Sequence, residues 1–119
     1  MARGEITHIE FPADDLERAR QFYEAVARWE IQPMEGFPDY LLFRTGDASG
    51  GAIGLRGQSV GTVTRPYITV DVLEDALRIA EEHGGRQVTG PTDIPGMGRY
   101  AAVTDPEGNE IGLWQTVQG

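Results

Sequence analysis

Two side chains near the N-terminus could transfer protons or bind a metal ion. The segment 6–11 (ITHIEF) alternates apolar and polar residues, which predicts a β-strand with His8 and Glu10 on one face. An imidazole can act as a general base or a metal ligand. A carboxylate facing a partly apolar cavity needs a partner, for which Arg65 and Arg56 are candidates. We therefore predict His8 and Glu10 as candidate catalytic or ligand-binding residues.

Each of these residues also has a purely structural interpretation. His8 can be a hydrogen-bonded histidine of a pocket, and Glu10 can belong to a structural ion pair. The chain's other histidine, His83, precedes Gly84 at a predicted helix end, where a cation is favoured. The pair Asp14-Asp15 is typical of a helix cap rather than of catalytic carboxylates.

Apolar patterns predict the elements that position these side chains. After the first strand, an apolar stripe at helical spacing is formed by Leu16, Ala19, Phe22, Tyr23 and Val26. Three short strands are predicted at 29–32, 40–43 and 52–55. The same order follows again, with a strand at 67–70, a helix from Leu73 to Gly84-Gly85, and strands at 86–88, 99–103 and 110–114.

Internal similarity supports this division into two βαβββ modules. Residues 14–19 (DDLERA) match residues 71–76 (DVLEDA) at an offset of 57, and the triplet IGL at 53–55 returns at 111–113 with an offset of 58. We predict one domain over residues 1–119, with module one at 5–55, a linker at 56–65 and module two at 66–116.

Aromatic residues on the predicted strands suggest an apolar cavity. Trp114 shares a strand face with Gly112, and Tyr67 and Thr69 share one with Arg65. Further candidates for the cavity lining are Trp29, Phe37, Tyr40 and Met97. Such a lining, with a few polar anchors, is typical of small-molecule sites, although core or dimer-interface packing explains the same aromatics.

The composition disfavours several classes of function. The net charge of −9 disfavours nucleic-acid binding, and the absence of cysteine removes disulfides and thiolate chemistry. No signal peptide and no apolar run of about 18 residues is present, so we expect a cytoplasmic protein with no membrane partner.

Two short motifs are rejected as catalytic signatures. Residues 57–61 (GQSVG) fit G-x-S-x-G, but a strand rather than a helix is predicted after them, so no serine nucleophile is expected. Residues 96–98 (GMG) precede no helix and form no phosphate loop. We expect them in a loop at the mouth of the cavity.

The sequence resembles the vicinal oxygen chelate superfamily, which includes glyoxalase I, bleomycin-resistance proteins and extradiol dioxygenases. The resemblance is carried by HIEFPADDLERARQFY at 8–23, the turn DPEGN at 105–109 and the ending GLWQ at 112–115. It implies an α+β fold in which two βαβββ modules form a curved mixed sheet around a cup, with the helices outside. It also implies a homodimer.

Metal-dependent members of this superfamily have four ligand positions, which by alignment on the repeat are His8, Gly54, Arg65 and Gly112 in this chain. Only His8 is a ligand type, because a permanently charged arginine cannot coordinate a cation. The resemblance thus implies a cup without the usual protein-held metal and with no cofactor. The two glycines are expected to make room for a ligand.

The leading functional hypothesis is a small-molecule-binding protein of the glyoxalase/bleomycin-resistance type. Its predicted ligand-binding residues are His8, Glu10, Gly54, Arg65, Tyr67, Gly112 and Trp114. One alternative is a lyase, isomerase or dioxygenase that uses His8 and Glu10 with or without a divalent metal. Another is a drug-sequestering resistance protein.

Overall fold

The computed structural model describes residues 3–117 of the chain. Its contacts define two compact units: an N-terminal unit of residues 7–65, and a C-terminal unit that combines residues 66–117 with residues 3–6. The elements occur in the order βαβββ-βαβββ. The predicted α+β class and the two βαβββ modules are therefore confirmed.

The N-terminal unit is built around a mixed sheet of four strands. Its elements are β1 (Ile6–Ala13), α1 (Leu16–Val26), β2 (Gln32–Pro33), β3 (Tyr40–Arg44) and β4 (Gly50–Leu55). The strand order is β2-β3-β4-β1, in which β1 and β4 are parallel and the other neighbours antiparallel. The predicted strand at 29–32 is wrong in its bounds: the strand is Gln32–Pro33, and Ile31 and Trp29 before it pack into the core.

Helix α1 covers one face of this sheet. Beneath it lies a core of Ala13, Ile31, Phe43 and Ile53, with Phe11, Leu16, Ala19, Tyr23, Trp29 and Leu41 packed against it. Phe11 belongs to this core, so the alternation of β1 directs His8 and Glu10 to the opposite face.

The ends of α1 follow from local chemistry. The Asp15 side chain accepts a hydrogen bond from the Arg18 backbone N–H at 3.0 Å, so the predicted cap is confirmed for this residue. Arg28 adopts the left-handed region with φ of 58°, directly after the C-cap residue Ala27. This conformation directs the chain out of the helix.

The C-terminal unit repeats the arrangement. Its elements are β5 (Arg65–Thr69), whose first residue belongs to the N-terminal unit, α2 (Leu73–Glu82), β6 (Arg86–Ile94), β7 (Gly98–Thr104) and β8 (Glu110–Thr116). The strand order is β5-β8-β7-β6, in which β5 and β8 are parallel and the other neighbours antiparallel. The core consists of Leu73, Leu77, Ala101, Val103 and Leu113.

The second helix is capped differently from the first. Its N-cap residue is Val72, whose side chain cannot accept a hydrogen bond. The Leu73 backbone N–H donates instead to Oε1 of Gln115 on β8, at 2.8 Å. The helix ends before Gly84, which has φ of +92° and so takes the conformation that favours glycine. Within residues 3–117, neither helix has the length and apolar composition needed to cross a membrane.

The two units differ in the register of their parallel strands. In the N-terminal unit Pro12 pairs with Gly54, whereas in the C-terminal unit Tyr67 pairs with Gly112. The matching segments at the starts of the two helices are 57 residues apart in the sequence. The counterpart of Pro12 in the second module is therefore Thr69 and not Tyr67. The register of β5 is thus displaced by two residues, which preserves the faces of the strand because side chains alternate with a period of two.

Candidate functional site

A chain of polar contacts links four side chains of the N-terminal unit. The Tyr40 hydroxyl donates to Oε2 of Glu10 at 2.7 Å and lies 2.9 Å from Nε2 of His8. Beyond the carboxylate, Nη1 of Arg65 is 3.8 Å from Oε1 of Glu10. We call these four residues, His8, Tyr40, Glu10 and Arg65, the His8 network.

Strand register explains how Tyr40 reaches residues of β1. Strand β4 lies between β3 and β1 and pairs with both, so its residues Gly50, Ala52 and Gly54 share a face with His8 and Glu10. These residues have little or no side chain. A phenol from β3 can therefore lie across β4 and meet the polar residues of β1.

Burial makes the partners of Glu10 important. Glu10 is 8% exposed and Arg65 7% exposed, and a buried carboxylate is unfavourable unless it is paired and hydrogen-bonded. The guanidinium of Arg65 and the hydroxyl of Tyr40 supply both requirements. Arg56, the other predicted partner, instead donates from Nε to Oδ1 of Asp14 at 2.9 Å.

The environment of His8 favours the neutral form of its imidazole. Burial lowers the pKa of its imidazole below the ordinary value, and the nearby negative charge of Glu10 opposes this effect only in part. This favours the form with one protonated and one unprotonated ring nitrogen. A neutral imidazole is the form that can accept a proton or bind a ligand donor.

The sequence predicted that the two glycines of the repeated IGL triplet open space for a ligand. In the structure they do not. A Cβ atom at Gly54 would overlap Val60 and lie 2.8 Å from Oγ of Ser59, and one at Gly112 would overlap the ring of Tyr67. The chain's own side chains occupy the room that the missing Cβ atoms leave. The prediction that these glycines enlarge the cavity is therefore wrong.

The C-terminal unit has an aromatic face opposite α2. Tyr67 and Tyr100 meet edge to face with ring centroids 6.2 Å apart, and Trp114 pairs in register with Tyr100 and with Thr69. The Thr69 hydroxyl is buried without a hydrogen-bond partner in the described part of the chain. The predicted site residues Tyr67, Gly112 and Trp114 thus share one face of this unit.

The four further candidates for the cavity lining, Trp29, Phe37, Tyr40 and Met97, have different surroundings. Trp29 stacks on Phe43 with centroids 3.9 Å apart and lies in the core beneath α1, so its predicted place in the cavity is wrong. Met97 is exposed in the tight turn between β6 and β7. Of the four, Tyr40 alone belongs to the His8 network, and nothing in the apolar segment YLLF distinguishes its role before folding.

A groove lies beside the His8 network in the N-terminal unit. Its volume is about 560 Å³, and it is lined by Leu16, Pro33, Met34, Gly36, Phe37, Pro38, Asp39, Tyr40 and Leu41. Tyr40 contributes both to this groove and to the polar network. Apart from Tyr40 and Asp39, the groove is lined by apolar side chains and a glycine.

The residues at this site do not fit a protein-held divalent ion. Within residues 3–117, no three histidine, aspartate or glutamate side chains come close enough together to hold a metal. The Glu10 carboxylate already faces the cationic guanidinium of Arg65, which would repel a metal ion. His8 is thus without the companion ligands that such an ion requires.

The two rejected motifs are structural turns. Ser59 accepts from the Leu55 backbone N–H at 2.8 Å and donates to the Asp39 carbonyl, and the next element is strand β5. The segment 96–98 connects β6 and β7 without a helix. Neither motif supplies a nucleophile or a phosphate loop.

Comparison with known proteins gives the same picture of the fold. Residues 5–113 match the family model described as the Glyoxalase/Bleomycin resistance protein/Dioxygenase superfamily. The chain is 32% identical over 108 residues to CFP32 of Mycobacterium tuberculosis, which is named provisionally as a glyoxylase. This match covers 88% of the chain but only 41% of CFP32, so the chain spans about two fifths of that relative.

Two further comparisons cover nearly the full length of both partners. A glyoxylase-like domain-containing protein of Didymella fabae is 29% identical, with 89% of each chain covered. A superfamily member from Vibrio splendidus has a solved structure that aligns with a TM-score of 0.69 and 13% identity, over 96% of this chain and 99% of that one. Two βαβββ modules and a family match over residues 5–113 lead to one conclusion: this chain is a member of the Glyoxalase/Bleomycin resistance protein/Dioxygenase superfamily.

Proposed function

We propose that this chain binds a small organic molecule on the sheet face that carries the His8 network, without a divalent metal held by the protein. The observation that carries the proposal is the buried contact between Arg65 and Glu10 next to His8. The guanidinium of Arg65 pairs with the Glu10 carboxylate, which is the group that a metal ion would need as a ligand. The imidazole then remains as a polar anchor for a ligand group.

The surroundings of the network favour a ligand with both polar and apolar parts. His8, Glu10 and Tyr40 contribute polar atoms, whereas the adjacent groove contributes Met34, Phe37 and other apolar side chains. Small-molecule sites usually combine an apolar lining with a few fixed polar groups. We propose that the polar part of the ligand meets His8 and that its apolar part lies in the groove.

Metal titration tests the absence of a protein-held ion. Purified protein is titrated with zinc, nickel, manganese and iron(II) by calorimetry, followed by elemental analysis. We expect no stoichiometric tight binding. His83→Ala is the matched control for His8→Ala, because these are the two histidines of the chain. Tight binding of one ion per chain that is lost in His8→Ala but kept in His83→Ala would refute the proposal.

Ligand binding is tested by native mass spectrometry of protein purified without denaturation. We expect a retained small molecule whose occupancy falls in His8→Ala and in Met34→Ala, which removes an apolar wall of the groove. His83→Ala should retain the wild-type occupancy. A retained molecule that is unaffected by both site variants would place binding elsewhere.

A second candidate function is metal-free proton transfer by His8. The specific observation is the sequence of contacts from imidazole to phenol to carboxylate, in which a candidate base is oriented by a second group and that group by a third. The chemistry would be abstraction of a proton next to a carbonyl group. Glu10 would support the imidazolium that forms.

Hydrogen–deuterium exchange tests this candidate. Aldehydes, 2-oxo acids and thioesters are incubated with the protein in D2O and followed by proton NMR. Exchange that is lost in His8→Ala and Glu10→Gln, and kept in His83→Ala, would support it. Exchange at the wild-type rate in Glu10→Gln would exclude the role of the carboxylate.

A further inference from the structure

The hydroxyl of Tyr40 has one hydrogen atom and lies close to both Glu10 and His8. It lies 2.7 Å from Oε2 of Glu10 and 2.9 Å from Nε2 of His8. A carboxylate can only accept a hydrogen bond, and a bond to a charged acceptor is roughly twice as strong as a neutral one. The phenol hydrogen is therefore donated to Glu10.

The contact with His8 must then run in the opposite direction. Because the hydrogen of Tyr40 is used, the phenol oxygen can only accept from the imidazole, which requires a hydrogen on Nε2. In the neutral form of the imidazole, which burial favours, the ring has one hydrogen, and the contact with Tyr40 places it on Nε2.

Arg65 stabilises this arrangement from the far side of Glu10. Its guanidinium lies 3.8 Å from Oε1 of the carboxylate, whereas Tyr40 donates to Oε2, so the two partners contact different oxygens of Glu10. An ionised Glu10 cannot donate to Tyr40. The directions of the two hydrogen bonds that join Tyr40 to Glu10 and to His8 therefore depend on the charge of Glu10.

We propose that Tyr40 is a positioning residue that holds His8 in the tautomer with hydrogen on Nε2, so that Nδ1 is the nitrogen to which a proton adds. The consequence for ligands rests on the proposed function: a ligand group that meets His8 at Nδ1 must be a donor, such as a hydroxyl, an N–H group or an acidic C–H bond. The tautomer itself is independent of the proposed function and is measured without a ligand.

The second histidine provides an internal comparison. Nδ1 of His83 lies 3.0 Å from the Ile79 carbonyl oxygen, which can only accept, so this contact requires a hydrogen on Nδ1. The structure thus assigns opposite tautomers to the two histidines of the chain. His83 is exposed, and its preference is expected to be weaker than that of His8.

Long-range proton–nitrogen correlation NMR tests the proposal. The spectrum is recorded on 15N-labelled protein well above the ordinary histidine pKa of 6.5, and the signals are assigned with His83→Ala. For His8 we expect the Nε2–H pattern. In Tyr40→Phe the acceptor is lost, and the ratio of the tautomers should shift toward Nδ1–H by roughly fivefold, as expected for one net hydrogen bond.

Matched variants separate this effect from a change in packing. Tyr23→Phe removes a phenol hydroxyl from the opposite face of the same unit and should leave the His8 pattern unchanged. Glu10→Gln removes the charge that orients Tyr40 and should increase the Nδ1–H form. An Nδ1–H pattern for His8 in the wild-type protein would overturn the proposal, as would an unchanged ratio in a folded Tyr40→Phe variant. Failure of the ligand experiments with the expected tautomer intact would refute only the proposed function.

Discussion

The protonation state of His8 depends on contacts that lie outside its own strand. Tyr40 supplies a hydrogen-bond acceptor, and Glu10 supplies both a negative charge and the acceptor for Tyr40. Burial outweighs the charge of Glu10 and lowers the pKa of the imidazole. At the residue scale the site is therefore a histidine whose neutral form is favoured, beside a buried ion pair.

Because its folded-state pKa is depressed, His8 links stability to pH. Well above pH 6.5, the ordinary histidine value, the neutral form of His8 predominates in both the folded and the unfolded chain. As the pH falls below this value, the unfolded chain binds a proton more readily, so stability is lost until the pH passes the lower folded-state pKa. Urea unfolding across this range measures the effect.

The matched variants for this prediction are His8→Gln and His83→Gln. His8→Gln retains an amide that can donate to Tyr40 but cannot titrate, so the loss of stability below pH 6.5 should become smaller. His83→Gln should behave like the wild-type protein. An equal slope in wild-type and His8→Gln proteins would contradict the assignment.

The buried hydroxyl of Thr69 gives a second prediction at this scale. Thr69 is 5% exposed, and its Oγ1 has no hydrogen-bond partner within the described residues. Thr69→Val keeps the branched shape and removes the unsatisfied polar atom, so the free energy of unfolding should rise by about 1 kcal/mol. Thr92→Val is the control, because Thr92 donates to the Gly90 carbonyl and its loss should destabilise. Denaturation in urea distinguishes the two, and destabilisation by Thr69→Val would show that its hydroxyl has a partner.

Strands β5 and β8 depend on the missing side chain of Gly112. A Cβ atom there would overlap the ring of Tyr67, which is buried on the neighbouring strand. Gly112→Ala should therefore destabilise the C-terminal unit by roughly 1–3 kcal/mol, as other overpacking substitutions do. Urea unfolding measures the change in free energy.

A double-mutant cycle identifies the cause. Combining Gly112→Ala with Tyr67→Leu should remove much of the penalty, since the ring that would be overlapped is absent. Gly90→Ala is a control within a strand, because a Cβ atom there would meet only the flexible side chain of Gln87, at 3.3 Å. Additive effects in the cycle would show that Tyr67 does not account for the requirement for glycine.

At the scale of the whole molecule, the homodimer remains a prediction from the family resemblance. Both helices have exposed apolar side chains, including Phe22 and Val26 on α1 and Ile79 on α2. Pairing of two chains would bury such surface. We expect sedimentation velocity at micromolar concentration to give twice the mass of the chain, and a monomer there would contradict the prediction.

The sequence by itself determined the order of the elements and the faces of several strands. Alternation over residues 6–11 is sufficient to place His8 and Glu10 together, because side chains of a strand alternate with a period of two. The repeated segments are sufficient to predict two βαβββ modules. These signals are local, or compare one part of the chain directly with another.

Tertiary structure alone decided which side chains contact one another. Tyr40 lies 30 residues from Glu10, and the two meet because of the registers of β1, β4 and β3. The same is true of the choice of Arg65 over Arg56, and of Tyr67 as the side chain that fills the space at Gly112. Such contacts depend on distances between strands that are far apart in sequence, and packing of the whole unit sets those distances.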